Sequence, residues 1–252
     1  MLTLAIQRFS SFDGTELAWR EVGEGRALVL LHGYFSDAAT NWIRYGHAAT
    51  LAAAGFRVIM PDLRAHGDSA KPHDAAAYPR DVLADDGFAL IEHLGLTDYD
   101  LGGYSLGGRT VARMLVRGAA PRRAIISGMG LMGLTDTKAR VAHFAGVFAG
   151  LGTHKPGSSE WMAEAFLKTT GGDPVALEHL LYTSVDTSPS ELAALAMPIG
   201  VVCGVDDSDN GSAAALAALV PDATLITVPG THMSAVTRPD LGIAIRDFLV
   251  AN

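Results

Sequence analysis

Six short runs recur along the chain with helix-length segments between them: Ala27–Leu31, Phe56–Met60, Tyr99–Gly102, Arg123–Ser127, Ile199–Cys203 and Thr224–Val228. They are rich in Val, Ile and Leu without regular polar alternation, the pattern of strands covered on both faces, as in a parallel sheet. The intervening segments Trp42–Ala54, Asp81–Leu94, Gly107–Arg117, Ser212–Leu219 and Leu241–Val250 read as helices. Strands alternating with helices imply an α/β fold joined by right-handed crossovers. Two earlier segments, Leu4–Phe9 and Glu16–Glu21, flank Asp13-Gly14, a hairpin turn signal, so an antiparallel hairpin is predicted to begin the sheet. The expectation is a mostly parallel, eight-stranded sheet flanked by helices.

One stretch breaks the rhythm. From Met129 to Met197 no strand is evident, but helix signals are. Asp173-Pro174 pairs a cap residue with proline at the first helical position, and Ser188-Pro189-Ser190-Glu191 is a capping box. Phe144, Val147, Phe148 and Leu151 fall at helical spacing, as do Trp161, Ala165 and Phe166. The predicted organisation is a core of residues 1–128 and 198–252, with 129–197 a helical insertion resting on the sheet.

Composition narrows the partners. The 252 residues are 49% hydrophobic and 18% charged, the balance of a compact globule and not of a disordered chain. Nineteen basic against 27 acidic residues leave a net charge of −8, which argues against nucleic acid or an anionic membrane as the main partner. A single cysteine, Cys203, rules out an internal disulfide and a cysteine-rich metal site. The start, Met1 to Arg8, lacks a signal-peptide pattern, and no apolar run approaches the roughly 20 residues of a membrane helix. The expected compartment is the cytoplasm and the expected partner a small-molecule substrate; no signal bears on oligomeric state.

The chemistry concentrates at Gly103-Tyr104-Ser105-Leu106-Gly107, a G-x-S-x-G between a strand and a helix. A chain turning that sharply leaves the serine strained, and its neighbours two positions away must lack bulk. Ser105 Oγ would project above the sheet beside a helix N-terminus, whose partial positive charge favours a developing anion. Two other glycine patterns fail on their own terms. Gly103 to Thr110 resembles a phosphate loop, but Arg109 replaces the lysine and the position is mid-sheet. Gly128 to Gly133 fits G-x-G-x-x-G, yet no acid lies between Asp136 and Glu160 to hold a ribose. Those glycines are expected to give a flexible exit into the insertion.

A nucleophilic serine needs a base, and the base an orienting carboxylate. Of nine histidines, His232 lies in the loop after the last strand, at the same sheet edge as Ser105; His47, His93, His143 and His179 fall within helices. The loop after Ile199–Cys203 carries Asp206, Asp207 and Asp209 at that edge. The first parallel strand ends in His32-Gly33-Tyr34-Phe35, where Gly33 permits a tight turn. The Tyr34 and Leu106 N–H groups could then meet as an oxyanion hole, each donor lowering the barrier by about 3–4 kcal/mol. His32 reads as a histidine bonding loop backbone beside the site.

Leu31-His32-Gly33, Pro61-Asp62-Leu63-Arg64-Ala65-His66-Gly67-Asp68-Ser69, Gly103 to Gly108, Gly204-Val205-Asp206-Asp207 and Gly230-Thr231-His232 together resemble the α/β-hydrolase superfamily over nearly the whole chain. Ala65 stands where the family pattern usually has glycine. The resemblance implies Asp207 as the acid, with Asp206 and Asp209 as possible substitutes, and makes Met129–Met197 a cap over the site. It implies that no metal or organic cofactor is required. Haloalkane dehalogenases and epoxide hydrolases of this superfamily carry an aspartate at the elbow, so Ser105 favours acyl transfer. The implied function is a serine hydrolase of a small, apolar carboxylic ester or lactone, with Ser105, Asp207 and His232 catalytic. Alternatives are a carbon–carbon bond hydrolase, a cofactor-free perhydrolase, or a receptor-like ligand-binding protein with little turnover. Met129, Leu131, Met132, Phe144, Phe148, Trp161 and Phe166 are the expected apolar substrate pocket.

Overall fold

The computed structural model describes residues 4–251. Strands β1 (Gln7–Ser10) and β2 (Glu16–Val22) pair antiparallel around the predicted turn, where Gly14 takes φ 84°. Then follow β3 (Arg26–Leu31), β4 (Phe56–Pro61), β5 (Tyr99–Tyr104), β6 (Ala124–Ser127), β7 (Ile199–Gly204) and β8 (Ala223–Val228). The eight strands form one sheet in the order β1-β2-β4-β3-β5-β6-β7-β8, parallel from β4 to β8 and antiparallel at the first two pairings. Each of the six sequence-predicted runs lies on a strand. Chain order reverses direction at β3, leaving β4 on one side and β5 on the other, a switch point where the carboxyl-end loops part to form a crevice.

The unbroken apolar runs are explained by burial on both faces. In β3, Val29 and Leu31 face one core with Leu101 and Ile126, packed by Val82, Leu90, Val111 and Met114 of α2 (Val82–His93) and α3 (Leu106–Val116). Leu28 and Leu30 face the other with Val58, Ile125 and Val202, where Leu51 from α1 (His47–Ala53) and, from the chain's last helix (Pro239–Val250), Leu241 and Ile245 pack. The segment expected as one helix from Trp42 is divided. A π-helical turn (Ala39–Ile43) precedes α1, and Gly46 between them has φ 82°, which no continuous right-handed helix accommodates.

Between β6 and β7 lie five helices, α4 (Leu131–Thr135), α5 (Lys138–Ala149), α6 (Ser159–Thr169), α7 (Pro174–Leu181) and α8 (Pro189–Ala193). Asp173 caps α7 by accepting from the Val175 and Ala176 N–H groups, and Ser188 with Glu191 closes the capping box of α8. After β7 come α9 (Ala213–Leu219), then α10 (His232–Ala235) and α11 (Pro239–Val250). Among the described residues no helix is long and apolar enough to cross a membrane.

The segment from Asp62 to Ser69 is structural. Asp62 accepts from the Ala38 and Asp68 N–H groups and from Arg20, so it pins three parts of the chain together. Gly67 lies so close that a Cβ there would meet Asp62 Cγ at 2.3 Å. Ala65 keeps the left-handed turn of its motif (φ 71°) without the glycine that would hold it more cheaply. The Arg64 side chain is fully buried and donates to both oxygens of Asp86, to Asp13 and to the Ala77 carbonyl. Removing one partner of such a pair strands the other, so Arg64→Met should lower stability by about 3–5 kcal/mol in urea unfolding, and Arg64→Met/Asp86→Leu should recover part of it.

His32 and His66 are buried side by side, ring centroids 4.9 Å apart. Burial lowers both pKa values, and for His66 the neighbouring His32 adds to the effect. Below the ordinary imidazole value of about 6.5 the unfolded chain takes up protons that these rings refuse, so stability falls as pH falls. Urea midpoints should drop from pH 7.5 to 5.5, and His66→Gln should flatten that slope by up to ~1.4 kcal/mol per pH unit.

Candidate active site

The strand registers bring Leu31, Tyr104 and Ser127 to one edge of the sheet, with the ends of β7 and β8 beside them. The loops leaving that edge carry Tyr34, Ser105, Asp207 and His232. Ser105 sits in a turn of φ 54° and ψ −113°, between β5 and α3, and its N–H donates to the Ser127 carbonyl at 2.8 Å. The flanking glycines are sterically required. A Cβ on Gly103 would meet the Gly107 carbonyl carbon and oxygen at 2.3 Å, and one on Gly107 would meet the Leu31 oxygen at 2.2 Å.

His232 opens α10 behind Thr231, whose side chain caps the helix reciprocally with Ser234. Its Nε2 is 3.0 Å from Ser105 Oγ and its Nδ1 is 2.9 Å from Asp207 Oδ2. Tyr104 Oη donates to the His232 carbonyl at 2.6 Å and so fixes the ring's backbone from below. Asp207 Oδ1 accepts from the Asp209 N–H at 3.1 Å. Burial alone would raise the Asp207 pKa, but the hydrogen bond and charge of His232 outweigh it, and the carboxyl stays below its ordinary value. Of the two substitutes, Asp206 is exposed, and Asp209 faces Arg140, its Oδ2 3.6 Å from Nη1.

The loop after β3 rests against the serine: a Cβ on Gly33 would lie 3.5 Å from Ser105 Cβ. Asn41 Oδ1 accepts from the Gly33 N–H at 3.1 Å and holds that loop in place. Among the described residues neither the Tyr34 nor the Leu106 N–H donates a hydrogen bond, so both are free for a ligand. His32 bonds backbone as expected, through the Gly33 carbonyl and the Leu63 N–H.

A cavity of about 390 Å³ opens over Ser105 and His232, walled by the loop after β3, by α5 and α6, and by Met233, Val236 and Thr237. Of the seven expected pocket residues, Phe144 and Phe166 line it, and the other five do not. Met129 is buried against Gly133, Leu131 lies outside the cavity, and Met132 is half exposed beside Gly211. Phe148 packs edge-on to Phe35 beneath the lining. Trp161 lies on the outer face of α6, because one position along a helix rotates a side chain by about 100° and the inner face is Ser159, Met162, Ala163 and Phe166. The spacing of 159, 163 and 166 was the signal that could have found it. Arg140 and His143 also line the cavity, and nothing in the sequence marked them.

The glycines from 128 to 133 do not make a flexible exit. A Cβ on Gly130 would meet the Gly211 oxygen at 2.2 Å, and one on Gly133 would meet Asn210 Cβ at 2.7 Å. With Asn210 Nδ2 donating to the Gly128 carbonyl at 2.9 Å, this close approach clamps the loop that carries Asp207. Among the described residues no group of three or more His, Cys, Asp or Glu is placed to hold a metal ion.

Residues 26–143 match a family model described as alpha/beta hydrolase fold. A non-heme haloperoxidase of Rhodococcus erythropolis is 36% identical over 118 residues, 46% of this chain and 41% of that protein. The chain thus spans less than half the length of the curated relatives first matched. Among solved structures, a thermophilic esterase from Thermogutta terrifontis superimposes with TM-score 0.78 at 24% identity, over 97% of this chain and 98% of that one. The enol-lactonase from Burkholderia xenovorans LB400 gives TM-score 0.75 at 22% identity, covering 97% and 100%.

The steric account of the serine turn predicts opposite outcomes at two glycines. Gly107→Ala should cost roughly 3 kcal/mol or more in thermal unfolding, since its contact is backbone and cannot yield. Gly146→Ala, at an exposed position of α5 with nothing within 4 Å, should instead stabilise by about 0.5–1 kcal/mol.

Proposed function

From the fold and from the family model matched by residues 26–143, we propose that the chain is an α/β-hydrolase and a serine hydrolase of small carboxylic esters or lactones. The observation that carries this reading is the continuous contact from Asp207 through His232 to Ser105, 2.9 and 3.0 Å long, at the floor of an apolar-walled cavity. Nδ1–H donates to the Asp207 carboxylate, which leaves Nε2 with its lone pair toward the Ser105 hydroxyl. That is the tautomer a general base requires.

In the proposed reaction the substrate enters between the sheet edge and the helices of 129–197, which act as a cap. Its carbonyl oxygen lies against the Tyr34 and Leu106 N–H groups. Ser105 Oγ attacks the carbonyl carbon as His232 takes its proton, and the oxygen becomes an anion held by the two amides and the N-terminus of α3. Collapse of this intermediate expels the alkoxide, which takes the proton from His232, and leaves an acyl-serine. Water, losing a proton to His232, attacks that ester; the acid departs and Ser105 recovers its proton. Asp207 stays ionised throughout and stabilises the imidazolium.

A serine nucleophile supports this chemistry over alkyl-ester chemistry, in which water must attack the carbonyl of an enzyme carboxylate. The haloperoxidase likeness favours one second reading, in which hydrogen peroxide replaces water in the last step and the product is a peracid. Peroxide added to the ester assay separates the two by the product released.

A fluorophosphonate should label the protein once, and Ser105→Ala should abolish both labelling and release of p-nitrophenol from p-nitrophenyl pentanoate. Asp207→Asn should lower kcat by about 10⁴-fold through loss of the tautomer lock, whereas Asp206→Asn should leave it unchanged. Labelling that persists in Ser105→Ala would contradict the assignment.

A further inference from the structure

Arg109 is one of the chain's least expected side chains. It is 8% exposed, on the second turn of α3 directly behind Ser105, yet no carboxylate pairs with it among the described residues. Its Nε donates to the Gly133 carbonyl at 3.0 Å, and among the described residues its two terminal nitrogens have no acceptor. Buried guanidinium groups are ordinarily paired, because taking the charge out of water is costly.

A second cation lies beside it. Arg140, on α5, has its guanidinium 4.8 Å over the Phe144 ring and forms a single, long ion pair with Asp209, Nη1 to Oδ2 3.6 Å. Burial, and then the charge of Arg140, lower the Arg109 pKa to about 10, with Asp186 only partly offsetting them. Both arginines line a side cavity of about 30 Å³ together with Tyr34, Ser105, Leu106 and Phe144. Tyr34, Ser105, Arg140 and Phe144 also line the main cavity, so the two spaces share the serine as a wall. A space of this size holds one small polar group and no alkyl chain of length.

Two neighbouring cations, one with no carboxylate in ion-pair contact among the described residues, bordering a group-sized space beside the attacking oxygen, form an incomplete ionic site. We propose that Arg109 and Arg140 bind a carboxylate carried by the acyl part of the substrate, so that the enzyme acts on hemiesters of short dicarboxylic acids or lactones bearing a free carboxylate. This rests on the serine-hydrolase reading and names its substrate class. The carboxylate supplies the charge that Arg109 lacks, and Arg140 closes over it from the helices of 129–197. The main cavity takes the alcohol portion. Arg109 was the residue that spoiled the phosphate-loop pattern in the sequence; a planar guanidinium suits a carboxylate better than the compact ammonium of a lysine.

The test compares two esters of equal chain length, p-nitrophenyl hydrogen glutarate and p-nitrophenyl pentanoate, with spontaneous hydrolysis subtracted. The wild type should favour the anionic ester in kcat/KM, and Arg140→Gln should lower that value about 10- to 100-fold, mainly through KM, with the neutral ester changed less than ~3-fold. Arg140→Lys should restore part of the loss. Arg109→Gln should act in the same direction; if that variant does not fold, the less buried Arg140 decides the matter alone. Equal loss of kcat on both esters would assign the arginines to the oxyanion and overturn the proposal, as would a wild type indifferent to the substrate's charge. Turnover of neither ester would fail the hydrolase reading instead. Calorimetric titration with glutarate then decides the site: binding lost in Arg140→Gln supports it, and no binding to the wild type overturns it.

Discussion

The left-handed backbone at Ser105 is the constraint around which the rest of the molecule is arranged. A non-glycine residue at φ 54° and ψ −113° costs on the order of 1–3 kcal/mol and persists only where its surroundings allow nothing else. Here β5 enters and α3 leaves with no slack. Gly103 and Gly107 touch one another's backbone, Gly107 touches the end of β3, and the Ser105 N–H is tied to β6. Three central strands therefore hold the turn. In exchange, the serine hydroxyl stands clear of its own chain, at the sheet edge where the loops after the other parallel strands emerge.

Electrostatics at that edge follow from burial. Asp207 is enclosed yet ionised because His232 and the Asp209 amide satisfy it. Cys203, a few residues away, is driven the other way: burial, and then the charge of Asp207, push its thiol up to about 12. The chain's single thiol is thus held neutral, and it offers Ser105 no competing thiolate. The same logic leaves Arg109 conspicuous, as a buried charge with no ion-pair partner among the described residues, whereas the other deeply buried arginine, Arg64, has two carboxylates.

The framework was legible in the sequence wherever the signal was local. Runs such as Ala27–Leu31 marked strands because both faces are buried, and Gly103 to Gly107 marked the serine turn because only glycine fits. Position within the α/β order then selected His232 among nine histidines. What stayed hidden depends on which way a helix faces once docked. Trp161 and Met162 are both large and apolar, and only the packing of α6 against α5 decides which meets the cavity. Arg140 and His143 carried no mark because a charged residue on a helix ordinarily faces water. The glycines from 128 to 133 were read as freedom when they record a close approach, since the partner, Asn210 to Gly211, lies some 80 positions away. Gly46, by contrast, could have divided the first helix from sequence, had its left-handed role been weighed against the apolar spacing around it.

The most direct measurement is rapid acid quench during turnover of p-nitrophenyl pivalate, whose acyl-enzyme breaks down slowly, followed by peptide mass analysis. The account predicts one pivaloyl group on the peptide containing Ser105, appearing with the first equivalent of p-nitrophenol. Continued release of p-nitrophenol while that peptide stays unmodified would contradict it.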